Sequence, residues 1–132
     1  MSRPAPALRR VTAPAAPAPF GHYAQATVTP DGTLWVSAQL PVGGAVTAGS
    51  PVAEQTRQAL ANVMSIVEAA GSRADWVTRV TLYLTDVSDW TSVDAVFGEV
   101  FGSHRPARSV LQVAGLHHGY RVSAEAVGWC VR

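Results

Sequence analysis

The amino acid most clearly missing from this chain of 132 residues is lysine, since all ten of its basic residues are arginines. Any reaction in which a lysine amine forms a Schiff base with a carbonyl substrate is therefore excluded. The single cysteine, Cys130, excludes an internal disulfide and is expected to be a small buried residue of the last strand. No apolar run approaches the roughly 18 residues of a membrane span, so no membrane partner is expected.

Charge of either sign is also scarce, with ten basic and nine acidic residues giving a formal net charge of +1. A nearly neutral chain lacks the positive field of a nucleic-acid-binding protein, so nucleic acid is not an expected partner. His117 and His118 are adjacent and cannot share one helical face, and no Cys/His cluster has metal-ligand spacing. Neither a metal nor another cofactor is expected.

The length predicts one domain, preceded by an N-terminal arm. Residues 1–19 are rich in Pro and Ala and contain Arg3, Arg9 and Arg10 without a continuous apolar segment. This composition predicts a mobile arm rather than a secretory signal, and the expected location is cytoplasmic. The folded domain is expected to span residues 20–132.

Hydrophobic periodicity predicts strands and two helices in this domain. Strands are expected at residues 23–29, 33–38, 77–84, 108–114 and 121–131, with a short edge strand near Ala45 and Val46. One helix should begin at a Ser50–Pro51 cap and stop at Gly71, and a second should follow the caps at residues 86–89 and stop at Gly102. The order favours an α+β fold in which two helices pack on one face of a mixed sheet.

Arg108 is the leading candidate for a binding residue. It stands at the start of the apolar strand Val110–Ala114, two residues after the conformationally restricted Pro106. A guanidinium held on a rigid strand can grip a carboxylate through two parallel hydrogen bonds. A small carboxylate-bearing metabolite is therefore the expected ligand.

Several segments in order resemble those of the RidA family, also called the YjgF family. They are Gly21–Ala26, Trp35–Pro41, Glu54–Val63, Val67–Gly71, Val77–Asp86, Pro106–Ser109 and Ala124–Ala126. The resemblance covers residues 20–132 and implies a chorismate-mutase-like fold and a homotrimer with sites between subunits. The reaction it implies is hydrolysis of reactive enamines and imines, such as 2-aminoacrylate, to a 2-keto acid and ammonia.

The same resemblance assigns residues to the expected site. Arg108 corresponds to the carboxylate clamp, and Tyr23 to a tyrosine that hydrogen-bonds the substrate or covers one side of the cleft. Ser37 corresponds to a residue of the pocket wall. Glu125 corresponds to a glutamate whose role is expected to be mainly structural.

This chain departs from the family pattern around the expected cleft. Ser123 occupies the position of the glutamate that is thought to handle water in deaminating members, and a serine alone cannot act as an acid or base near pH 7. Val110 replaces a frequent cysteine, and Asp94 replaces an asparagine. His22 and the pair His117–His118 are new titratable groups, and His117 or His118 is a candidate for moving protons near neutral pH.

Three functions remain open from the sequence. The leading one is a divergent, trimeric RidA-like hydrolase of a carboxylate-bearing imine or enamine, or a related enzyme dedicated to one pathway. The alternative is a trimer that keeps the cleft and binds a small metabolite without catalysing its reaction. RNA cleavage or chaperone-like action, known from other members of the family, receives little support from the near-neutral charge.

Overall fold

Six strands and two helices form the part of the chain that the structure, a computed structural model, describes, namely residues 7–131. The strands are β1 (Arg9–Val11), β2 (Ala26–Val28), β3 (Thr33–Gln39), β4 (Val77–Leu84), β5 (Ala107–Gln112) and β6 (Val122–Trp129). The helices are α1 (Val52–Ala69), between β3 and β4, and α2 (Trp90–Phe101), between β4 and β5. Short 3₁₀ turns lie at Ala74–Trp76, Val87–Asp89 and His117–Gly119.

The strands form one sheet in the order β1-β2-β3-β6-β4-β5. Only β4 and β5 run parallel, and the other neighbours in this described sheet are antiparallel. The parallel pair is possible because α2 carries the chain back from the end of β4 to the start of β5. The predicted combination of two helices with a mixed sheet is confirmed.

One face of this sheet is buried beneath the helices and the other is open. Side chains alternate between the two faces along a strand, and in β4 the side chains of Val80, Leu82 and Leu84 are fully buried. They pack with buried residues of α1, including Leu60, Val63 and Ile66, in a single hydrophobic core. The predicted alternation in β4 is confirmed, and we call its two sides the helix face and the open face.

Helix α1 forms because its apolar residues recur at helical spacing on the face that meets the sheet. Its predicted cap needs correction, because the Ser50 side chain makes no capping hydrogen bond. The Ser50 hydroxyl instead accepts a hydrogen bond of 2.9 Å from the backbone N–H of Thr47, within the preceding loop. The predicted stop is confirmed, since Gly71 follows the helix with a φ of 84°, a conformation that glycine adopts without strain.

The main correction concerns the predicted mobile arm. Residues 9–11 form β1, which pairs with β2, and Val11 and Ala13 are buried. The Gln25 side chain binds the Ala13 backbone on both sides, accepting from its N–H at 2.6 Å and donating to its carbonyl at 3.1 Å. The composition of the segment did not reveal these hydrogen bonds, which hold it to the rest of the domain. The first six residues of the predicted arm lie outside the described part of the chain.

Two strand predictions also need correction. The strand expected at residues 23–29 is limited to Ala26–Val28, so Tyr23 lies in the loop before it. The edge strand expected near Ala45 does not form among the described residues, because the N–H of Val46 closes a turn onto the carbonyl of Gly43 at 3.3 Å. The remaining predicted strands are present: β4 has the predicted ends, and the ends of β3, β5 and β6 differ from the prediction by at most two residues.

Neither described helix combines the length and the apolar character that crossing a bilayer requires. This finding agrees with the lack of a long apolar run in the sequence.

A matched pair of glycine substitutions tests the packing of β6 against the segment before β4. A Cβ at Gly128 would lie 2.9 Å from the carbonyl oxygen of Trp76, whereas a Cβ at Gly98, in the exposed face of α2, meets nothing within 4 Å. We expect Gly128→Ala to lower the free energy of unfolding by about 1–3 kcal/mol, as overpacking does. We expect Gly98→Ala to raise it by up to about 1 kcal/mol through helix propensity.

Urea unfolding of the two variants and the wild type measures both effects. A Gly128→Ala protein as stable as the wild type would contradict the close backbone approach of Trp76 to β6.

Candidate functional site

A cleft of about 680 Å³ opens where β3 and β6 meet the loops at Phe20–Tyr23 and Leu116–His118. Its volume is typical of sites for small ligands. It brings together six residues that the sequence analysis named, from three separate parts of the chain: Tyr23, Ser37, and the C-terminal group His117, His118, Ser123 and Glu125.

Strand β6 supplies Ser123 and Glu125 to this cleft. The two residues are two apart on a strand and therefore point to the same side. Their partners across the ladder are Tyr83 and Thr81, which lie on the open face of β4. The Ser123 hydroxyl forms no hydrogen bond within residues 7–131 and borders the cleft, so it is available to a bound molecule.

Glu125, for which the family resemblance implies a mainly structural role, contributes a carboxylate to the wall of this cleft. The Tyr83 hydroxyl donates a hydrogen bond to this carboxylate. The bond raises the pKa of Tyr83, with further contributions from its partial burial and from the charge of Glu125. Tyr83 therefore stays protonated at neutral pH and holds Glu125 in one orientation at the cleft wall.

Tyr23 and Ser37 are positioned by backbone hydrogen bonds. The Ser37 hydroxyl donates to the carbonyl of Ala24 at 2.6 Å, and its backbone N–H donates to the carbonyl of Gln25 at 2.9 Å. Both hydrogen-bond donors of Ser37 are thus used within the protein, and they hold the segment that follows Tyr23 against β3. The Tyr23 ring remains 45% exposed at the cleft, and its hydroxyl accepts from the N–H of Phe20 at 3.1 Å.

The histidine pair lies on a strained turn at the rim of the cleft. His118 has a φ of 63°, a left-handed conformation that is uncommon for residues other than glycine. Its ring centroid lies 5.8 Å from that of Phe20 and 6.1 Å from that of His117. His22 borders a different cleft, beside Arg10 and Thr27, and so does not join this group.

Arg108 lies in a second cleft, of about 540 Å³, between β5 and α2. Its Nη1 atom donates to Oδ1 of Asp94 at 2.7 Å. Its guanidinium also lies over two rings of α2, 4.8 Å from the centroid of Phe97 and 5.8 Å from that of Trp90. Cation–π contacts and the ion pair together hold Arg108 in place.

Val110 lies two residues beyond Arg108 on the same side of β5, opposite Leu82 of β4. It is half-buried and packs against the hydrophobic core. Through this contact, Val110 contributes to the packing of the core on the same side of β5 as Arg108.

The two clefts belong to opposite faces of the sheet. Arg108 pairs with Val80 of β4, whose side chain is on the helix face. Glu125 pairs with Thr81, whose side chain is on the open face. Directly paired residues share a face, so one protomer cannot turn Arg108 and Ser123 toward the same ligand.

Sequence reasoning missed Tyr83 and the two rings that hold Arg108, and it expected only a structural role for Glu125. The alternation of β4 indicated that Tyr83 points away from the core, but only the register of β4 with β6 brings it to Glu125. Likewise, Phe97 and Trp90 had helical spacing typical of core residues, and the contact with Arg108 depends on tertiary packing. In residues 7–131, no group of three or more His, Cys, Asp or Glu side chains is arranged to hold a metal ion.

Comparison with known sequences gives a coherent family assignment. Residues 13–129 match the family model described as endoribonuclease L-PSP. The chain is 41% identical over 115 residues to the 2-iminobutanoate/2-iminopropanoate deaminase of Bos taurus, an alignment that covers 85% of this chain and 82% of the relative. It is 39% identical over 124 residues to the human protein of the same name, covering 91% of this chain and 89% of that protein.

Solved structures agree with this assignment. The structure of the YjgF gene product of E. coli superimposes with a TM-score of 0.84 at 34% identity, covering 92% of this chain and 98% of that one. The structure of E. coli TdcF with bound serine superimposes with a TM-score of 0.84 at 29% identity, covering 93% and 99%. With its family model spanning nearly the whole fold and its motifs in order, the chain belongs to the endoribonuclease L-PSP family, also called the YjgF or RidA family.

Proposed function

We propose that this protein hydrolyses a small carboxylate-bearing imine or enamine to a 2-keto acid and ammonia, at sites shared between copies of the chain. The names of its deaminase relatives support the reaction class. The observation that carries the shared site is the separation of Arg108 from the cleft of Tyr23 and Ser123 on opposite faces of one sheet. In this proposal, a second copy of the chain completes each cleft.

Arg108 and Asp94 form one half of this site, and Tyr23, Ser37, His117, Ser123 and Glu125 form the other half. A homotrimer, which the family resemblance implies, would bring the first half of one subunit to the second half of its neighbour. Exposed apolar side chains support such contacts, because Trp35 on the open face is 49% exposed and Leu111 on edge strand β5 is 47% exposed.

Arg108 would bind the carboxylate of the substrate. One of its nitrogen atoms is engaged by Asp94, and its side chain keeps 22% of its surface exposed, so other N–H groups face the cleft. E. coli TdcF, whose structure holds serine, binds a molecule with a carboxylate next to a nitrogen-bearing carbon. A ligand of that size fits the proposed site.

Hydrolysis then requires water to add to the C=N carbon. The water oxygen bonds to this carbon while the C=N π bond breaks, and one proton of that water moves to nitrogen, which gives a carbinolamine. The remaining proton then moves from its hydroxyl to nitrogen, and ammonia leaves as the C=O bond forms. A positioned acid–base group accelerates such proton transfers. His117, His118 and Glu125 border the cleft beside Ser123 and are available for this role.

The alternative of a binding protein without turnover rests on Ser123. Its hydroxyl can bind water or substrate, but it cannot exchange a proton efficiently near neutral pH without a partner. If none of His117, His118 and Glu125 serves as that partner, the same shared cleft binds a small carboxylate and leaves it unchanged.

The shared site makes the oligomeric state a direct test. We expect sedimentation equilibrium at micromolar concentration to give the mass of a trimer, because each cleft is incomplete in one copy. A stable monomer under these conditions would contradict both the trimer and the shared site.

Replacing Arg108 tests the carboxylate clamp. We expect Arg108→Ala to weaken binding of L-serine by tenfold or more, because each hydrogen bond to a charged partner contributes about 1.5–3 kcal/mol. Arg108→Lys should restore little, since an ammonium cannot present two parallel donors. Calorimetric titration measures both.

Arg57→Ala is the matched control for this pair of variants, because Arg57 forms an exposed ion pair with Glu99 on the outer side of the helices. Unchanged serine affinity in Arg108→Ala would move the carboxylate site elsewhere.

Replacing Ser123 tests the chemistry. We expect the wild type to hydrolyse enzymatically generated 2-aminoacrylate slowly, and Ser123→Glu to raise the rate, because a positioned acid–base group gives roughly 10²–10⁴-fold. Ammonia release measures the rates, and Ser123→Ala is the control for loss of the hydroxyl alone. Fast turnover by the wild type that His117→Ala or Glu125→Gln abolishes would show that one of these groups already transfers the proton.

A further inference from the structure

We infer that Asp94 makes the site selective for ligands that carry a positively charged nitrogen next to their carboxylate, such as 2-iminio and 2-ammonio acids, over simple carboxylates. This inference rests on the proposed function, since it concerns what binds beside Arg108. It names the charge state of the substrate, which the proposed reaction leaves open.

The first support is the position of Asp94 within reach of the clamp. Its Oδ1 atom accepts from Nη1 of Arg108 at 2.7 Å. Its side chain is 45% exposed, twice the exposure of the Arg108 side chain, so the carboxylate faces the cleft and not the core. A ligand carboxylate bound to Arg108 therefore has the Asp94 carboxylate as its neighbour.

The second support is that Arg108 is not free to turn away from Asp94. Phe97 stands one helical turn after Asp94 on α2, and its ring lies under the guanidinium at 4.8 Å. Trp90 contacts the guanidinium from one turn before Asp94, at 5.8 Å. Asp94 and Arg108 thus form a fixed pair whose charges cancel.

The charges of Asp94 and Arg108 determine which ligands bind more tightly. A simple carboxylate adds a second negative charge beside Asp94 and competes with it for the N–H groups of Arg108, which is unfavourable. A ligand with a cationic nitrogen brings one positive charge for Asp94 and one negative charge for Arg108. The other charged groups that the same chain contributes to this cleft change the balance little, because Arg105 is exposed to solvent and the His104 ring is bonded to the Val77 carbonyl at 2.8 Å.

This selectivity suits imine hydrolysis. In a 2-imino acid, the nitrogen is bonded to the carbon next to the carboxylate, so a carboxylate on Arg108 leaves the nitrogen close to Asp94. The Asp94 carboxylate beside that nitrogen favours the nitrogen's protonated form. Protonation of the nitrogen makes the carbon of the C=N group more electrophilic. Water addition and loss of ammonia convert the iminium carboxylate into a 2-keto acid, which lacks the cation and so loses its attraction to Asp94.

The experiment compares ligands of one size that differ in charge. Calorimetric titration of the intact trimer with L-alanine, L-lactate and pyruvate gives the affinity ratio of the zwitterion to each anion. Asp94→Asn is the key variant, because its amide oxygen can still accept from Arg108 while the charge is gone. Glu99→Gln is the matched control, an equal change of charge on the outer side of the same helix.

We expect the wild type to bind L-alanine at least tenfold more tightly than L-lactate or pyruvate. Asp94→Asn should reduce this ratio by at least tenfold, both by weakening alanine binding and by strengthening anion binding, and Glu99→Gln should leave it unchanged.

An Asp94→Asn protein with an unchanged ratio would overturn the inference. So would an equal loss of both ligand classes, which would give Asp94 only a role in positioning Arg108. If the wild type bound none of the three ligands, the carboxylate site of the proposed function would itself fail, which is a different outcome from an unchanged ratio.

Discussion

The register between β4 and its two neighbours is the constraint on which the candidate site depends. β4 pairs Thr81 with Glu125 on one side and Val80 with Arg108 on the other. Since adjacent residues of a strand point to opposite faces, this register assigns Arg108 to the helix face and Glu125 to the open face. A shift of one residue in either ladder would exchange these faces and bury a charge in the core or remove it from its cleft.

Each face then provides a different environment for its half of the site. On the helix face, Arg108 rests on Phe97 and Trp90 and is paired with Asp94, so a costly charge is partly buried without being left unpaired. On the open face, the carboxylate of Glu125 is held by the Tyr83 hydroxyl at the side of a wider cleft. The first environment suits fixed recognition of a charged group, and the second suits access of water.

The sequence was sufficient to predict the two helices, the mixed sheet and the family, because these follow from hydrophobic periodicity, helix stop signals such as Gly71, and motifs in a fixed order. It was insufficient wherever a tertiary partner decides the outcome. A Pro/Ala-rich segment looked like a mobile arm until the Gln25 amide was seen to bind Ala13. Arg108 could be identified from its strand, but the rings beneath it and the face it occupies depend on packing and register, which one sequence does not reveal.

The same register determines the surroundings of Ser123, the position at which the family resemblance implies a glutamate. Ser123 and Glu125 face one cleft, so a wall with no acid at position 123 still carries one at position 125, two residues further along the strand. Glu125 is not equivalent, because its hydrogen bond with the Tyr83 hydroxyl holds it to the sheet. On the helix face, Asp94 places a carboxylate beside Arg108, at a position where the family resemblance implies an asparagine. In the proposed site the two acidic side chains are therefore Glu125, bonded to Tyr83, and Asp94, beside the carboxylate clamp, an arrangement that would favour recognition of a cationic nitrogen over rapid proton transfer.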